Sequence, residues 1–178
     1  MKNILLTGRP GIGKTTIINE SILRIKEHGI KIGGVSTREI RVRNIRTGFM
    51  IRDIGSGRKG IMASTDFKTG PKIGRYRIDV STLLNIGVTA IHTAIEEAQV
   101  IIIDEIGPME LLSTEMSKIV IRAIESDQPV LGVIHWKKHG LIIDKILSHP
   151  DTKVVEVRHD NRDSLASKIV DEVLGVML

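Results

Sequence analysis

The chain has 178 residues, of which 41% are hydrophobic, and a formal net charge of +5 at pH 7. This length is typical of one domain with a full hydrophobic core, so we expect a single domain over residues 1–178 and exclude a disordered chain. The absence of cysteine excludes disulfides, thiolate zinc sites and cysteine nucleophiles, and it favours a reducing compartment. No apolar run reaches the roughly 18 residues of a membrane span, so we predict a soluble, cytoplasmic protein.

Strands and helices alternate in the predicted structure. An apolar run at residues 2–7 is typical of a buried strand. Further strands are predicted at residues 33–42, 100–104, 129–135 and 152–157. Helices are predicted at residues 14–28, closed by Gly29, at 81–98, 114–126 and 140–147, and from Asn161, as its N-cap, to Leu178. This alternation predicts a three-layer α/β/α fold with a mostly parallel central sheet.

A basic segment, residues 31–79, interrupts this alternation. It contains twelve Lys and Arg against four Asp and Glu, whereas acidic residues are in slight excess in the rest of the chain. Apolar residues at positions 49, 51 and 61 lie on either side of a GSGRKG turn, which predicts a β-hairpin insertion. The surplus of positive charge is compatible with an anionic partner or with solvated hairpin faces, and both interpretations stay open.

A glycine-rich loop, GRPGIGKTT, lies between the first strand and the first helix. Its Gly8-x-x-x-x-Gly13-Lys14-Thr15 spacing is that of a Walker A motif, a P-loop whose backbone N–H groups and helix N-terminus bind a polyphosphate. We expect Lys14 to reach the β- and γ-phosphates and Thr15 to bind Mg²⁺. After Gly11 and Gly13 the chain continues with Lys14 and does not reach the last glycine of the dinucleotide-binding pattern G-x-G-x-x-G, so that pattern is excluded. The predicted nucleotide-binding residues are Gly8, Arg9, Pro10, Gly11, Ile12, Gly13, Lys14, Thr15 and Thr16.

A second motif, VIIIDEIG, is an apolar run with two acids near its end, as in a Walker B segment. Its residues are Val100, Ile101, Ile102, Ile103, Asp104, Glu105, Ile106 and Gly107. Asp104 is predicted to hold Mg²⁺ through water, and Glu105 to orient and deprotonate the attacking water near the γ-phosphate. The predicted catalytic residues are therefore Lys14, Asp104 and Glu105, and Thr15 and Asp104 are the predicted metal-binding residues. The alternative is the solvated end of a structural strand.

The run PVLGVI, at residues 129–134, follows the Walker B segment directly. P-loop proteins with a catalytic glutamate have a further strand between Walker A and Walker B, and this run is the candidate for it, which predicts a RecA-like strand order. His135 at its end is a candidate sensor of the γ-phosphate, and Trp136 is a candidate stacking partner for a base.

Base specificity is predicted from a missing motif. The chain lacks the N-K-x-D segment with which small GTPases read guanine, and its nearest approximation, at residues 161–163, begins a predicted helix. We therefore expect little discrimination among bases.

Four stretches together resemble one family: GRPGIGKTT, GGVSTREIR, TGFMI and above all DEIGPMEL. They are similar to segments of the small nucleoside-triphosphatase family of thermophilic organisms, also known in animals as cancer-related nucleoside triphosphatase. The resemblance extends from residue 1 to about residue 160. It implies a P-loop fold with a catalytic glutamate and Mg²⁺-dependent hydrolysis of nucleoside triphosphates to diphosphate and phosphate, with broad base tolerance. It also implies nucleotide contacts at residues 8–15 and 100–107.

Other classes of protein share parts of this pattern. The same form of Walker A occurs in nucleotide kinases and in AAA ATPases. The paired acids favour activation of water over transfer to an acceptor, and the chain is too short for the helical domain of an AAA motor. A nucleotide-switched nucleic-acid-binding protein would use the basic segment, which has few aromatic residues for stacking. No arginine is assigned to the transferred phosphoryl group, so we expect slow turnover unless the hairpin or a partner supplies one.

Overall fold

The structure, a computed structural model, describes residues 1–135 and 140–177. The strands are β1 (Asn3–Thr7), β2 (Ile32–Val42), β3 (Ile45–Asp53), β4 (Lys59–Ser64), β5 (Lys72–Ile73), β6 (Tyr76–Ile78), β7 (Val100–Ile106), β8 (Val130–Ile134) and β9 (Thr152–Glu156). The α-helices are α1 (Lys14–Glu27), α2 (Val80–Thr82), α3 (Thr89–Glu97), α4 (Thr114–Glu125), α5 (Leu141–Leu147) and α6 (Arg162–Met177). A π-helical stretch (Leu83–Val88) joins α2 to α3, and a 3₁₀ turn (Glu110–Leu112) follows β7.

The strands of the described residues form one mixed sheet in the order β5-β6-β4-β3-β2-β7-β8-β1-β9. In this order, the neighbours β2-β7-β8-β1-β9 run parallel to one another. The neighbours β5-β6-β4-β3-β2 are antiparallel. Because the carboxyl ends of parallel strands meet at the same edge of a sheet, the segments that follow β1 and β7 emerge at one edge, with the end of β8 between them. That edge therefore holds both the Walker A loop and the Walker B acids.

Alternate residues of the buried strands face two separate hydrophobic cores. In β1, Leu5 packs into a core that includes Ile91 of α3, and Ile4 and Leu6 pack into a core that includes Ile18 of α1. Residues of α4 and α5 line the first core, and residues of α6 line the second. The chain thus has an α/β fold with helices on both faces of a mixed sheet, which confirms the predicted class. None of the helices in the described ranges is long and apolar enough to cross a membrane.

One polar side chain is fully buried at the edge of the sheet opposite the P-loop. Asn3 Nδ2 donates a hydrogen bond to Ile124 O (2.9 Å), and Asn3 Oδ1 accepts one from the N–H of Val130 (3.1 Å). These bonds join the start of β1 to the end of α4 and the start of β8. The register that follows pairs Ile4 with Leu131.

The predicted helix at residues 81–98 differs from the observed one. The helical segment runs from Val80 to Glu97, and its middle is the π-helical stretch rather than regular α-helix. Gly87 lies in that stretch, where an added Cβ would be 2.9 Å from Ile51 Cδ1. The strands β5 and β6 were not predicted because each has three residues or fewer.

Asn161 was predicted to cap the last helix, but its side chain makes other contacts. Asn161 Oδ1 accepts a hydrogen bond from the N–H of Arg158 (2.8 Å), and Nδ2 donates to Glu156 O (2.9 Å). The side chain therefore holds the loop that precedes α6. The predicted stop at Gly29 agrees with its positive φ of 74°.

Arginine side chains of the basic segment stack on aromatic rings within the fold. The Arg46 guanidinium lies 5.2 Å from the ring centroid of Phe49 and 5.8 Å from that of Tyr76. Its Nε donates to the Tyr76 hydroxyl (2.9 Å), and its Nη1 donates to Glu39 (2.6 Å). Arg75 Nε also donates to the Tyr76 hydroxyl (3.1 Å). Part of the positive charge of the basic segment thus lies in contacts that link β2, β3 and β6.

We expect Arg46→Ala to destabilise the protein. Loss of the ring contacts and of the hydrogen bond to Tyr76 should lower the free energy of unfolding by about 1 kcal/mol, since the side chain is partly exposed. Chemical denaturation measures this difference. Arg52→Ala is the matched control, because Arg52 is exposed on the same strand and forms no ion pair with any described residue. Equal losses in the two variants would contradict the role of the ring contacts.

Candidate active site

The loop after β1 has the backbone conformation of a phosphate-binding turn. Gly8, Gly11 and Gly13 have positive φ angles of 142°, 78° and 109°, which residues with a side chain rarely adopt. At Gly8 a Cβ would also lie only 2.8 Å from Val157 O. Lys14 begins α1, and its Nζ donates to Gly8 O (2.8 Å) and Arg9 O (3.1 Å). The lysine ammonium is therefore folded over the loop.

Asp104 lies near the end of β7, opposite Ser36 of β2, and is 2% exposed. Asp104 Oδ2 is buried and has no hydrogen-bond partner among the described residues. Burial raises the pKa of Asp104 to about 7, whereas the nearby Thr15 hydroxyl and the charge of Lys14 lower it. The fold thus brings the two predicted metal-binding residues close together.

Glu105, the next residue, is partly buried. The peptide bond between the two acids is cis. Burial raises the pKa of Glu105, while the nearby charges of His135 and Lys14 lower it. His135 is held at the end of β8 by a hydrogen bond from its N–H to Ile106 O (3.0 Å). The predicted sensor therefore lies near the predicted base, whereas Trp136 lies outside the described residues.

A third acid, Glu110, is buried near these two and was assigned no role from the sequence. It is 5% exposed and begins the 3₁₀ turn after β7. Burial raises its pKa to about 8. The nearby N–H groups of Glu110 itself and of Gly107 lower the pKa, and the charges of Glu105 and Asp104 raise it. The signal in the sequence was an acid within the otherwise apolar run IGPMEL.

Arg38 is an arginine of the basic segment that lies near the site. It follows Ser36 by two residues in β2, and its charge acts to lower the pKa of Asp104 against the dominant effect of burial. The side chain is exposed and forms no ion pair with any described residue. No sequence pattern distinguished it from the other arginines of the segment.

A family model described as NTPase matches residues 3–170. The chain belongs to the NTPase family. A nucleoside-triphosphatase THEP1 from Thermofilum pendens is 42% identical to this NTPase over 177 residues, which cover 99% of this chain and 97% of the relative. A nucleoside-triphosphatase THEP1 from Methanothermobacter thermautotrophicus is 39% identical over 168 residues, 94% of each chain. These matches confirm the resemblance inferred from the four sequence stretches.

Two solved structures have the same fold as this NTPase. The crystal structure of THEP1 from the hyperthermophile Aquifex aeolicus has a TM-score of 0.85 and 31% identity, and the match covers 97% of this chain and 99% of that one. The solution structure of a human cancer-related nucleoside triphosphatase has a TM-score of 0.83 and 29% identity, and covers 98% of both chains. The likeness extends over nearly the whole chain, including both Walker segments.

We expect Glu110 to make the stability of the NTPase depend on pH. Its folded pKa of about 8 lies above the ordinary 4.5, so its stabilising contribution is fully present below pH 4.5 and is lost as the pH rises to about 8. Glu110→Gln removes this titration. The free energy of unfolding of the wild type minus that of the variant should therefore fall over this range, by at most about 1.4 kcal/mol per pH unit.

Urea unfolding of both proteins, at several pH values between these limits, measures this difference. The subtraction removes the contribution of Asp104, whose pKa is also raised by burial and which both proteins retain. A difference that does not change with pH would contradict a buried, neutral Glu110.

Proposed function

We propose that this NTPase hydrolyses ATP, GTP, CTP and UTP or TTP to diphosphate and phosphate in a Mg²⁺-dependent reaction. The observation that supports this most directly is the proximity of the two motifs. The Thr15 hydroxyl of the P-loop lies close enough to Asp104 to lower its pKa, and the charge of Lys14 acts on both Asp104 and Glu105. A triphosphate bound by the loop would therefore have its terminal phosphate close to both acids.

The residues present fit a magnesium ion. The Thr15 hydroxyl and the Asp104 carboxylate are the oxygen ligands that Mg²⁺ prefers. Asp104 Oδ2 is buried and has no hydrogen-bond partner in the described part of the chain, which is costly for a carboxylate unless a cation or donor pairs with it. When bound, the ion would neutralise the charge of the phosphate oxygens.

The side chains of the site have separate roles in the proposed reaction. The N–H groups of residues 8–16 bind the β- and γ-phosphates, and Lys14 pairs with their charge. Glu105 accepts a proton from water as the water oxygen bonds to the γ-phosphorus. The bond from that phosphorus to the β–γ bridging oxygen breaks, and its electron pair leaves with the diphosphate. Because burial raises the pKa of Glu105, the carboxylate is a stronger base than an exposed one. His135 is the proposed sensor of the γ-phosphate.

The strand order supports this assignment. β8 lies between β1 and β7 and is parallel to both, which is the RecA-like order expected of a P-loop protein with a catalytic glutamate. We infer that the antiparallel strands β3 and β4 are an insertion in this scaffold. The basic segment gives less support to nucleic-acid binding, since Arg41 and Arg46 pair with Glu39 and Arg77 donates to Gly70 O.

We expect Lys14→Ala and Glu105→Gln to separate binding from catalysis. Lys14→Ala should lose nucleotide affinity because the phosphates lose their cation. Glu105→Gln should bind nucleotide as the wild type does. Its rate of phosphate release should be lower by at least about a hundredfold, since the amide cannot accept the proton. Phosphate release with and without Mg²⁺, and titration with a fluorescent nucleoside triphosphate, measure the two effects.

Lys26→Ala is the matched control, since Lys26 lies in the last turn of the same helix and is exposed. Equal rates in the wild type, Lys14→Ala and Glu105→Gln would contradict the mechanism. Transfer of phosphate to an added nucleoside monophosphate would favour a kinase instead. We infer slow turnover, because an arginine at the transferred phosphate contributes about a thousandfold or more where it is present.

Broad base tolerance predicts similar initial rates with the four common triphosphates. Rates with ATP, GTP, CTP and UTP should agree within about tenfold, because the proposed contacts are to the phosphates and no guanine-reading motif is present in the sequence. Steady-state kinetics for each substrate test this. A preference of about a hundredfold or more for one base would show that a base-specific contact exists.

A further inference from the structure

Two backbone hydrogen bonds and one buried carboxyl group hold the turn that follows Glu105. The N–H of His135 donates to Ile106 O (3.0 Å), and the N–H of Leu111 donates to Gly107 O (2.9 Å). The carboxyl group of Glu110 lies beside Gly107, whose N–H lowers its pKa against the dominant effect of burial. Of these three contacts only the last has a side chain as a partner, so it is the one that a substitution can remove.

The carboxyl groups of Glu105 and Glu110 border the same small space. A Cβ built on Gly107 would lie 3.0 Å from Glu110 Oε2 and 3.4 Å from Glu105 Oε1. The first distance is tighter than most real Cβ contacts, so an added methyl would push the Glu110 carboxyl group aside by a few tenths of an ångström, whereas the second is ordinary van der Waals contact. Both carboxyl groups thus lie against the same residue of the turn, and a shift of Glu110 acts on the turn beside Glu105.

The burial of Glu110 needs an explanation, because a glutamate is rarely buried without a partner. No described residue forms a salt bridge with it. Burial raises its pKa to about 8, so at neutral pH the group is mostly uncharged. In that form it fills the space beside Gly107 and adds no second negative charge beside Glu105.

We propose that Glu110 is a positioning residue for Glu105: its buried carboxyl group holds the Gly107 turn and so fixes the Glu105 carboxylate at the end of β7. This inference rests on the proposed role of Glu105 as the base. Glu110 itself contacts no reacting atom. The effect on rate is large because a base displaced by about 1 Å costs about a hundredfold in rate.

The experiment compares Glu110→Ala with Glu110→Gln. Glu110→Ala should lower kcat by about tenfold to a hundredfold, with KM and the affinity for a fluorescent nucleotide within about threefold of the wild type. Glu110→Gln should restore kcat to within about threefold of the wild type, because an uncharged amide of nearly the same size fills the same space beside Gly107. Glu115→Gln is the control, since Glu115 is exposed in the first turn of α4.

A double variant shows whether Glu110 acts through Glu105. In a Glu105→Gln background, Glu110→Ala should cause no further loss of kcat, because the base that it positions is already absent. A further tenfold loss in that background would overturn the inference, since it would mean that Glu110 acts independently of Glu105.

Two other outcomes would overturn the inference. One is a wild-type kcat in Glu110→Ala, and the other is an equal loss in Glu110→Ala and Glu110→Gln at an unchanged melting temperature. If Glu110→Ala does not fold, Gly107→Ala takes its place: the added methyl should lower kcat with nucleotide affinity kept, and an unchanged kcat would overturn the inference. Failure of the proposed function is a separate result, because Glu105→Gln would then be as active as the wild type.

Discussion

The parallel register of β1, β8 and β7 brings the Thr15 hydroxyl to the Asp104 carboxylate and so joins the two halves of the site. Thr15 is in the first turn of α1 and Asp104 near the end of β7, so this contact requires the three strands to stay in a fixed register. Any shift of β8 against either neighbour would move one partner along the sheet by the rise of a strand residue, about 3.3 Å. The functional assignments all depend on this register.

Three carboxyl groups are concentrated around this contact, and burial raises the pKa of each. Lys14 is the cation whose charge opposes this for both Asp104 and Glu105. Such a cluster does not favour folding, because buried acids must be either neutral or paired. Strongly shifted pKa values of this kind are concentrated at functional sites, where they adjust proton affinity to the reaction. These shifts support placing the proposed reaction at the carboxyl edge of the sheet.

Local patterns in the sequence were sufficient to predict the fold class and the two motifs. The spacing from Gly8 to Thr15 and the apolar run before Asp104 each depend on neighbouring residues only, and the structure places them together. The π-helical stretch and the stacking of Arg46 on Tyr76 depend on contacts between distant segments, which no local pattern contains. Glu110 was missed for a related reason: in a sequence, an acid after a strand is typical of a solvated turn, and only the packing of the described residues shows that it is buried.

The two hydrogen bonds of the buried Asn3 side chain limit which residues evolution or design can place at this position. Its amide makes one bond as a donor and one as an acceptor, with the end of α4 and the start of β8. An apolar residue of similar size would preserve the packing but would leave a peptide carbonyl and a peptide N–H without partners in the interior. Hydrophobic burial is non-directional, so it tolerates several alignments of β8, whereas an amide with two fixed bonds tolerates one. A single side chain at the edge of the sheet opposite the P-loop thus favours one alignment of β8 with β1.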